Sequence, residues 1–209
     1  MYTNLTTNQN ELPTTTIGVF ISITACGSPL LVDGAAVLKH SIYLTSVHGN
    51  LGGRYDYKFH AIYHPNAKEC VQALEDLGYQ LEERDTPVAV QDIQGEWLRT
   101  RIVNNGCCGE KELIKLEAYT FTQYRIVVHV DIDSIFLKPL DPLFDVMLDD
   151  SGELRKAAGN LLPNITRVRY PPDVPIPTKI DAFFTRDCKI LVDKLKLDCL
   201  LCCYFSLSF

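Results

Sequence analysis

Three stretches of the chain carry an apolar pattern that predicts strands. Residues 125–130, Arg-Ile-Val-Val-His-Val, form an almost continuous β-branched run. Such a run suits a strand of a parallel sheet, where both faces are covered. Residues 17–24 alternate weakly and hold three isoleucines, which predicts the first strand. Farther on, Tyr55, Tyr57, Phe59, Ala61 and Tyr63 alternate with Asp56, Lys58, His60 and Ile62, the period of a half-buried strand.

Helical spacing fills the intervals. After a loop over 25–33, residues 35–44 have the composition of a short helix. Asn66 followed by Glu69 has the spacing of a capping box, and Ala67, Cys70, Val71, Leu74 and Leu77 fall on one stripe before Gly78. A strand over 80–90 then completes a β–α–β unit. A loop over 103–109 leads into a helix whose Ile114, Ala118 and Phe121 share a stripe, with Leu113 and Leu116 beside it. Pro139 and Pro142 predict a break, with Leu143 and Phe144 in a short turn. Residues 151–177 read as a surface excursion, 180–184 as a further strand, and 191–201 as a helix. The last eleven residues fit no period and no fold element. The expected organisation is a flexible polar arm (1–16), one partial domain (17–190) and a cysteine-rich apolar tail (191–209). The fold class is α/β, with a Rossmann-like, mainly parallel sheet.

Bulk composition narrows the function classes. With 209 residues the chain suits one domain. Its 20 Lys+Arg against 26 Asp+Glu leave a net charge of −6, so no basic field is available to hold nucleic acid. The apolar stretch 17–32 is interrupted by Gly18, Gly27, Ser28 and Pro29, and 197–209 is too short to cross a bilayer; no membrane span is expected. The eight cysteines lack zinc-site spacing and read as free buried thiols of a reducing compartment. A cytoplasmic location is favoured, with the Golgi as the alternative if an N-terminal anchor precedes this chain. Asn4-Leu5-Thr6 and Asn164-Ile165-Thr166 match the N-glycosylation pattern, which matters only on the secretory route.

The strongest candidate chemistry ends the run 125–130. Asp131 and Asp133 stand one residue apart, so strand alternation aims both to one side while Ile132 packs behind. Two like charges that close call for a cation, and hard oxygen donors suit Mn²⁺ or Mg²⁺. Carboxyl ends of strands are also where open α/β sheets bind ligands. His129 reads as a core histidine and Trp97 as core or a loop anchor. No GxGxxG is present, which argues against a dinucleotide site.

The run Leu113-Ile-Lys115-Leu-Glu-Ala-Tyr-Thr-Phe-Thr-Gln-Tyr124, followed by His-Val-Asp131-Ile-Asp133-Ser-Ile-Phe-Leu-Lys-Pro-Leu-Asp-Pro-Leu-Phe-Asp145, resembles the core of glycosyltransferase family 8, the glycogenin-like enzymes. The segment Gly34–Ser41 is similar to that family's first helix. The resemblance implies a GT-A type fold and a hexosyltransferase using a nucleotide diphosphate sugar, with UDP as the expected nucleotide. It implies Thr24, Lys115, Asp131, Ile132 and Asp133 as the nucleotide-sugar contacts, with Asp131 and Asp133 holding the metal and Asp131 also near the ribose. The acceptor is a glycan, a protein or a small molecule, and its own hydroxyl is the nucleophile, so no catalytic residue is assigned.

Departures from the family pattern set the rival readings. Ala25-Cys26 stand where many relatives carry asparagine and aspartate. The family's later glycine-rich strand and its histidine ligand find no counterpart after Phe184, which suggests a truncated member with an incomplete sheet. The non-enzymatic rival is thus a chain that binds nucleotide sugar weakly or not at all. A phosphatase of the haloacid dehalogenase type also uses a DxD after an apolar strand. Its motif usually comes earlier, with threonine or valine where Ile135 stands here.

Overall fold

A computed structural model of the chain describes residues 15–27, 29–47, 54–104, 108–149, 151 and 203–206. Strands β1 (Thr16–Ile23), β2 (Asp56–Tyr63), β3 (Gln80–Glu83), β4 (Ile126–Val130) and β5 (Cys203–Ser206) form one sheet in the order β3-β2-β1-β4-β5. The first four are mutually parallel, and β5 runs antiparallel along β4. The fold is α/β with a mainly parallel, Rossmann-like sheet. The strand order reverses between β1 and β4.

Alternation along the strands divides the core in two. Ile17, Val19, Ile21 and Ile23 of β1 and Ile126, Val128 and Val130 of β4 pack with Ala61 and Tyr63 of β2 on one face. Helix α1 (Leu31–Ile42) covers that face with Ala35, Leu38 and Ile42. Phe20, Ile62 and Val127 point to the other face, under a 3₁₀ helix over Gly109–Thr120 whose Ile114 and Ala118 are buried beside Phe121 and Tyr124. A Cβ on Gly18 would lie 2.7 Å from the rings of both Phe20 and Tyr124, so only glycine admits them. Strand β2 alternates only over its first half and is buried throughout its second, His60–Tyr63, where β3 pairs with it.

Several local expectations are corrected. Helix α1 starts at Leu31, earlier than expected, and runs into a π-helical turn, Tyr43–Val47. The predicted capping box does not form. His64 instead accepts the Asn66 N–H through Nδ1 at 3.2 Å and opens a 3₁₀ turn, Pro65–Ala67, while α2 is short, Gln72–Asp76. Cys70, between these two pieces, is bonded to Cys26 across a Cα–Cα distance of 5.7 Å, so this pair is a disulfide rather than two buried thiols. Gly78 ends the segment at φ +79° as expected, and β3 spans four residues only.

Helix α3 (Glu96–Arg101) had no signal in the apolar pattern. Its Trp97 is 68% exposed with Arg101 over its ring at 5.1 Å, so it is neither core nor a buried anchor. Pro142 does not break the chain; it stands in the first turn of α4 (Asp141–Leu148), where a missing N–H costs nothing. Asp141 accepts the Tyr57 hydroxyl at 3.1 Å, and Asp145 accepts the Tyr55 hydroxyl at 2.7 Å and pairs with Arg54 at 2.6 Å. These bonds fix α4 against the start of β2. The final segment, for which no place was expected, supplies β5. The predicted excursion beyond residue 151, the strand over 180–184 and the helix over 191–201 lie outside the described residues.

Candidate functional site

Regular pairing of β4 stops at Val130, and the chain turns there, the Ser134 N–H donating to the Asp131 carbonyl at 3.0 Å. Asp131 and Asp133 therefore sit in a turn at the strand's carboxyl end rather than in the strand. The alternation of β4 still reaches the first two residues of that turn. Ile132 packs against the α1-side core, whereas Asp131 meets Lys115 of the Gly109–Thr120 helix, Nζ to Oδ1 at 2.9 Å. Lys115 also lies 2.8 Å from Glu112 Oε2. Burial by itself would lower the Lys115 pKa, but hydrogen bonds to the Glu112 and Asp131 carboxylates and their charges raise it on balance. The ammonium is held charged beside an acid.

Asp133 is exposed. Among the described residues no group of three or more His, Cys, Asp or Glu side chains is arranged to hold a metal ion. Two carboxylates nevertheless fit a hard divalent ion of the kind that keeps several waters and takes its remaining oxygens from a substrate phosphate.

Thr24 follows the end of β1, the strand next to β4. It lines a polar cleft of ≈ 370 Å³ with Ala25, Asn104, Cys108, Gly109 and Lys111. The backbone reaches this cleft through Gly109 at φ +59°, with the Val103 carbonyl 2.5 Å from where a Cβ would be. Thr24 and Asp131 thus flank the point where strand order reverses, the usual ligand crevice of doubly wound sheets. Direct contact joins Lys115 to Asp131 but not Thr24 to either in the bonds observed. A second, apolar cavity of ≈ 430 Å³ lies between α1 and β2, lined by Ala36, Lys39, Tyr43, Phe59 and Leu77. Its lysine Nζ sits over the Phe59 and Tyr79 rings and donates to the Leu77 carbonyl.

His129 is buried, with Nε2 3.1 Å from Ser22 Oγ and Nδ1 without a partner among the described residues. Burial, reinforced by the Lys115 charge, pushes its pKa down to about 4, so the ring is neutral. The ring lies in the core as expected, but among the described residues only one of its two nitrogens is satisfied. Sequence reasoning passed over Glu112, Lys111 and Asn104. Glu112 was within reach, because a residue three before a helical lysine shares its face. Asn104 was not, since the cleft exists only once β1 and the 109–120 helix meet.

No family model matches the chain, and no curated protein matches it. Among solved structures it is similar to mouse Xyloside xylosyltransferase 1 in its apo form, at 12% identity and a TM-score of 0.38, over 63% of this chain. The likeness covers 47% of that protein, so the chain spans about half of its length.

Proposed function

We propose that this protein is a metal-dependent glycosyltransferase moving a hexosyl group from a UDP-linked sugar to an acceptor hydroxyl. The observation that carries the reading is the charged Lys115 ammonium 2.9 Å from Asp131, at the carboxyl end of the strand beside the reversal in strand order. Cleaving a sugar–diphosphate bond leaves negative charge on the departing phosphate oxygen. A preorganised cation at that oxygen lowers the barrier where the charge develops. Lys115 is such a donor, and Glu112 and Asp131 fix its position and keep its proton. Thr24, Asn104 and Lys111 offer polar groups to the nucleotide in the adjoining cleft. A bound Mn²⁺ or Mg²⁺, held by Asp131 and Asp133, would neutralise diphosphate charge.

The test is a calorimetric titration of UDP into the full chain with and without Mn²⁺. Heat that requires the metal, and disappears in Asp133→Asn, supports the donor site; hexose transfer from UDP-sugars then establishes turnover. Absence of metal-dependent heat sinks the proposal. It would favour a family member that has lost donor binding, a reading motivated by the lack of a third metal-ligating side chain among the described residues.

A further inference from the structure

Helix α1 buries an almost purely apolar face, and two of its residues break that pattern. Ser41, 6% exposed, donates from Oγ to the Leu38 carbonyl of its own helix at 2.7 Å. The same oxygen accepts the N–H of Phe136 at 3.0 Å, a buried bond between groups 95 residues apart. Gly34 lies seven residues before Ser41, two turns away on the same side of the helix. The carbonyl of Ile132 approaches the helix there so closely that a Cβ on residue 34 would stand 3.1 Å from its oxygen and 3.4 Å from Ile132 Cγ1. Glycine inside a helix is unfavourable relative to alanine. Close approach of the turn explains its presence.

These two contacts lie on either side of Asp133. Ile132 rests on α1 at Gly34, Phe136 is fastened at Ser41, and Asp133 lies between the two anchors. Asp131 immediately precedes the first. We infer that α1 sets the position of the acid-bearing turn, with Gly34 and Ser41 as positioning residues for Asp131 and Asp133. The inference rests on the donor-site reading above and deepens it. A shift of the turn by a few tenths of an ångström would leave the sheet intact but move the carboxylates relative to Lys115.

Gly34→Ala, Ser41→Ala and Ser41→Thr in the full chain test this, with exposed Val37→Ala of the same helix as control. Mn²⁺ affinity in the presence of UDP is read from the free-Mn²⁺ paramagnetic signal, beside melting temperature and backbone amide shifts. Gly34→Ala should leave the chain folded, the helix propensity of alanine offsetting part of the cost of displacing the Ile132 carbonyl, and still weaken Mn²⁺ binding about tenfold. Ser41→Ala should weaken it similarly and speed hydrogen exchange at the Phe136 amide, and Ser41→Thr, which retains the hydroxyl, should recover much of the affinity. Amide shifts at Asp133 and Ser134 should move in Gly34→Ala without any ligand.

Wild-type affinity in both Gly34→Ala and Ser41→Ala overturns the inference. So does a loss in Val37→Ala as large as theirs. If the wild-type protein binds no Mn²⁺ with UDP, the donor reading fails separately, and the amide shifts alone decide whether α1 holds the turn.

Discussion

The two faces of the sheet are made from the same strands and do different work. On the α1 side the packed residues are nearly all apolar, from Ile17 to Phe144, and the polar contacts there, Ser41 to Phe136 and the Tyr55 and Tyr57 hydroxyls to Asp145 and Asp141, join one element to another. On the opposite side Phe20 stands in register with His60 on β2 and His129 on β4, stacked on the His60 ring at 4.6 Å. Beyond that row come Tyr124, whose hydroxyl is 2.7 Å from His60, and then Lys115 with its two carboxylates. The acid-bearing turn touches both, Ile132 on the first face and Asp131 on the second. One face holds the turn in place, and the other surrounds it with charge. Changes deep in the first should therefore act mainly on stability, changes on the second on protons and ligands, and changes where α1 meets the turn on ligand binding through the turn's position.

The sharpest way to break that division is Phe144→Ala. Phe144 is fully buried against Tyr55 and Tyr57, and its truncation should cost about 3–5 kcal/mol in urea unfolding. Metal-dependent UDP affinity per folded molecule should hardly change. A loss below about 1 kcal/mol would show that this face does not carry the fold. Next in size is the Cys26–Cys70 bond, which closes a loop between residues 44 apart. Cys70→Ser, or reduction of the wild type, should remove about 3 kcal/mol by releasing the unfolded chain. Unchanged melting on reduction would mean that the link contributes nothing.

Acid should act through the second face. His60, 2% exposed, has its pKa pushed down to about 4 by burial and then by Lys58. Between that value and an unfolded value near 6.5 the unfolded chain binds more protons. The stabilisation is thus complete above about pH 6.5 and drains away as pH falls towards 4, with about 2 kcal/mol lost by pH 5. Chemical denaturation at pH 7, 6 and 5 measures it, and His60→Gln should roughly halve the dependence, the rest coming from the equally buried His129. An equally steep slope in that variant would assign the acid sensitivity elsewhere. Smallest in stability is Lys115→Met. Its ion pairs are about a third exposed, so unfolding free energy should shift by less than about 1 kcal/mol. UDP affinity should nonetheless fall about tenfold, the measure of one charged hydrogen bond. A large stability loss with intact UDP binding would reverse the division between the faces.

Legibility followed the range of the interaction. Strands β1, β2 and β4 and the stripe Ile114, Ala118, Phe121 could be read directly, because each is written in residues two to four positions apart. The candidate acids stood out for the same reason: they directly follow a strand that the apolar run declares. Pro142 was misread because its meaning depends on whether a helix begins there, and Asp141 and Asp145 hold that helix in place by reaching Tyr57 on β2 and Tyr55 just before it. Asn66 lost its cap to His64, a competitor that the capping-box spacing does not weigh. For α3, with Trp97 outward on Arg101, no buried stripe exists to be found.

By itself, then, the order of residues determined an α/β chain whose most buried strand runs straight into two acids, and the structure added that they stand in a turn. Period-two and helical patterns are local, and burial on both faces leaves few alternatives for an uninterrupted β-branched run. Only the tertiary structure decided that Lys115 meets Asp131, that Cys26 joins Cys70, that β5 takes the open side of β4, and that Gly34 and Ser41 receive the turn. Each of those joins groups at least 16 residues apart. Such partners are chosen by the closure of the whole sheet, which no short window of sequence contains.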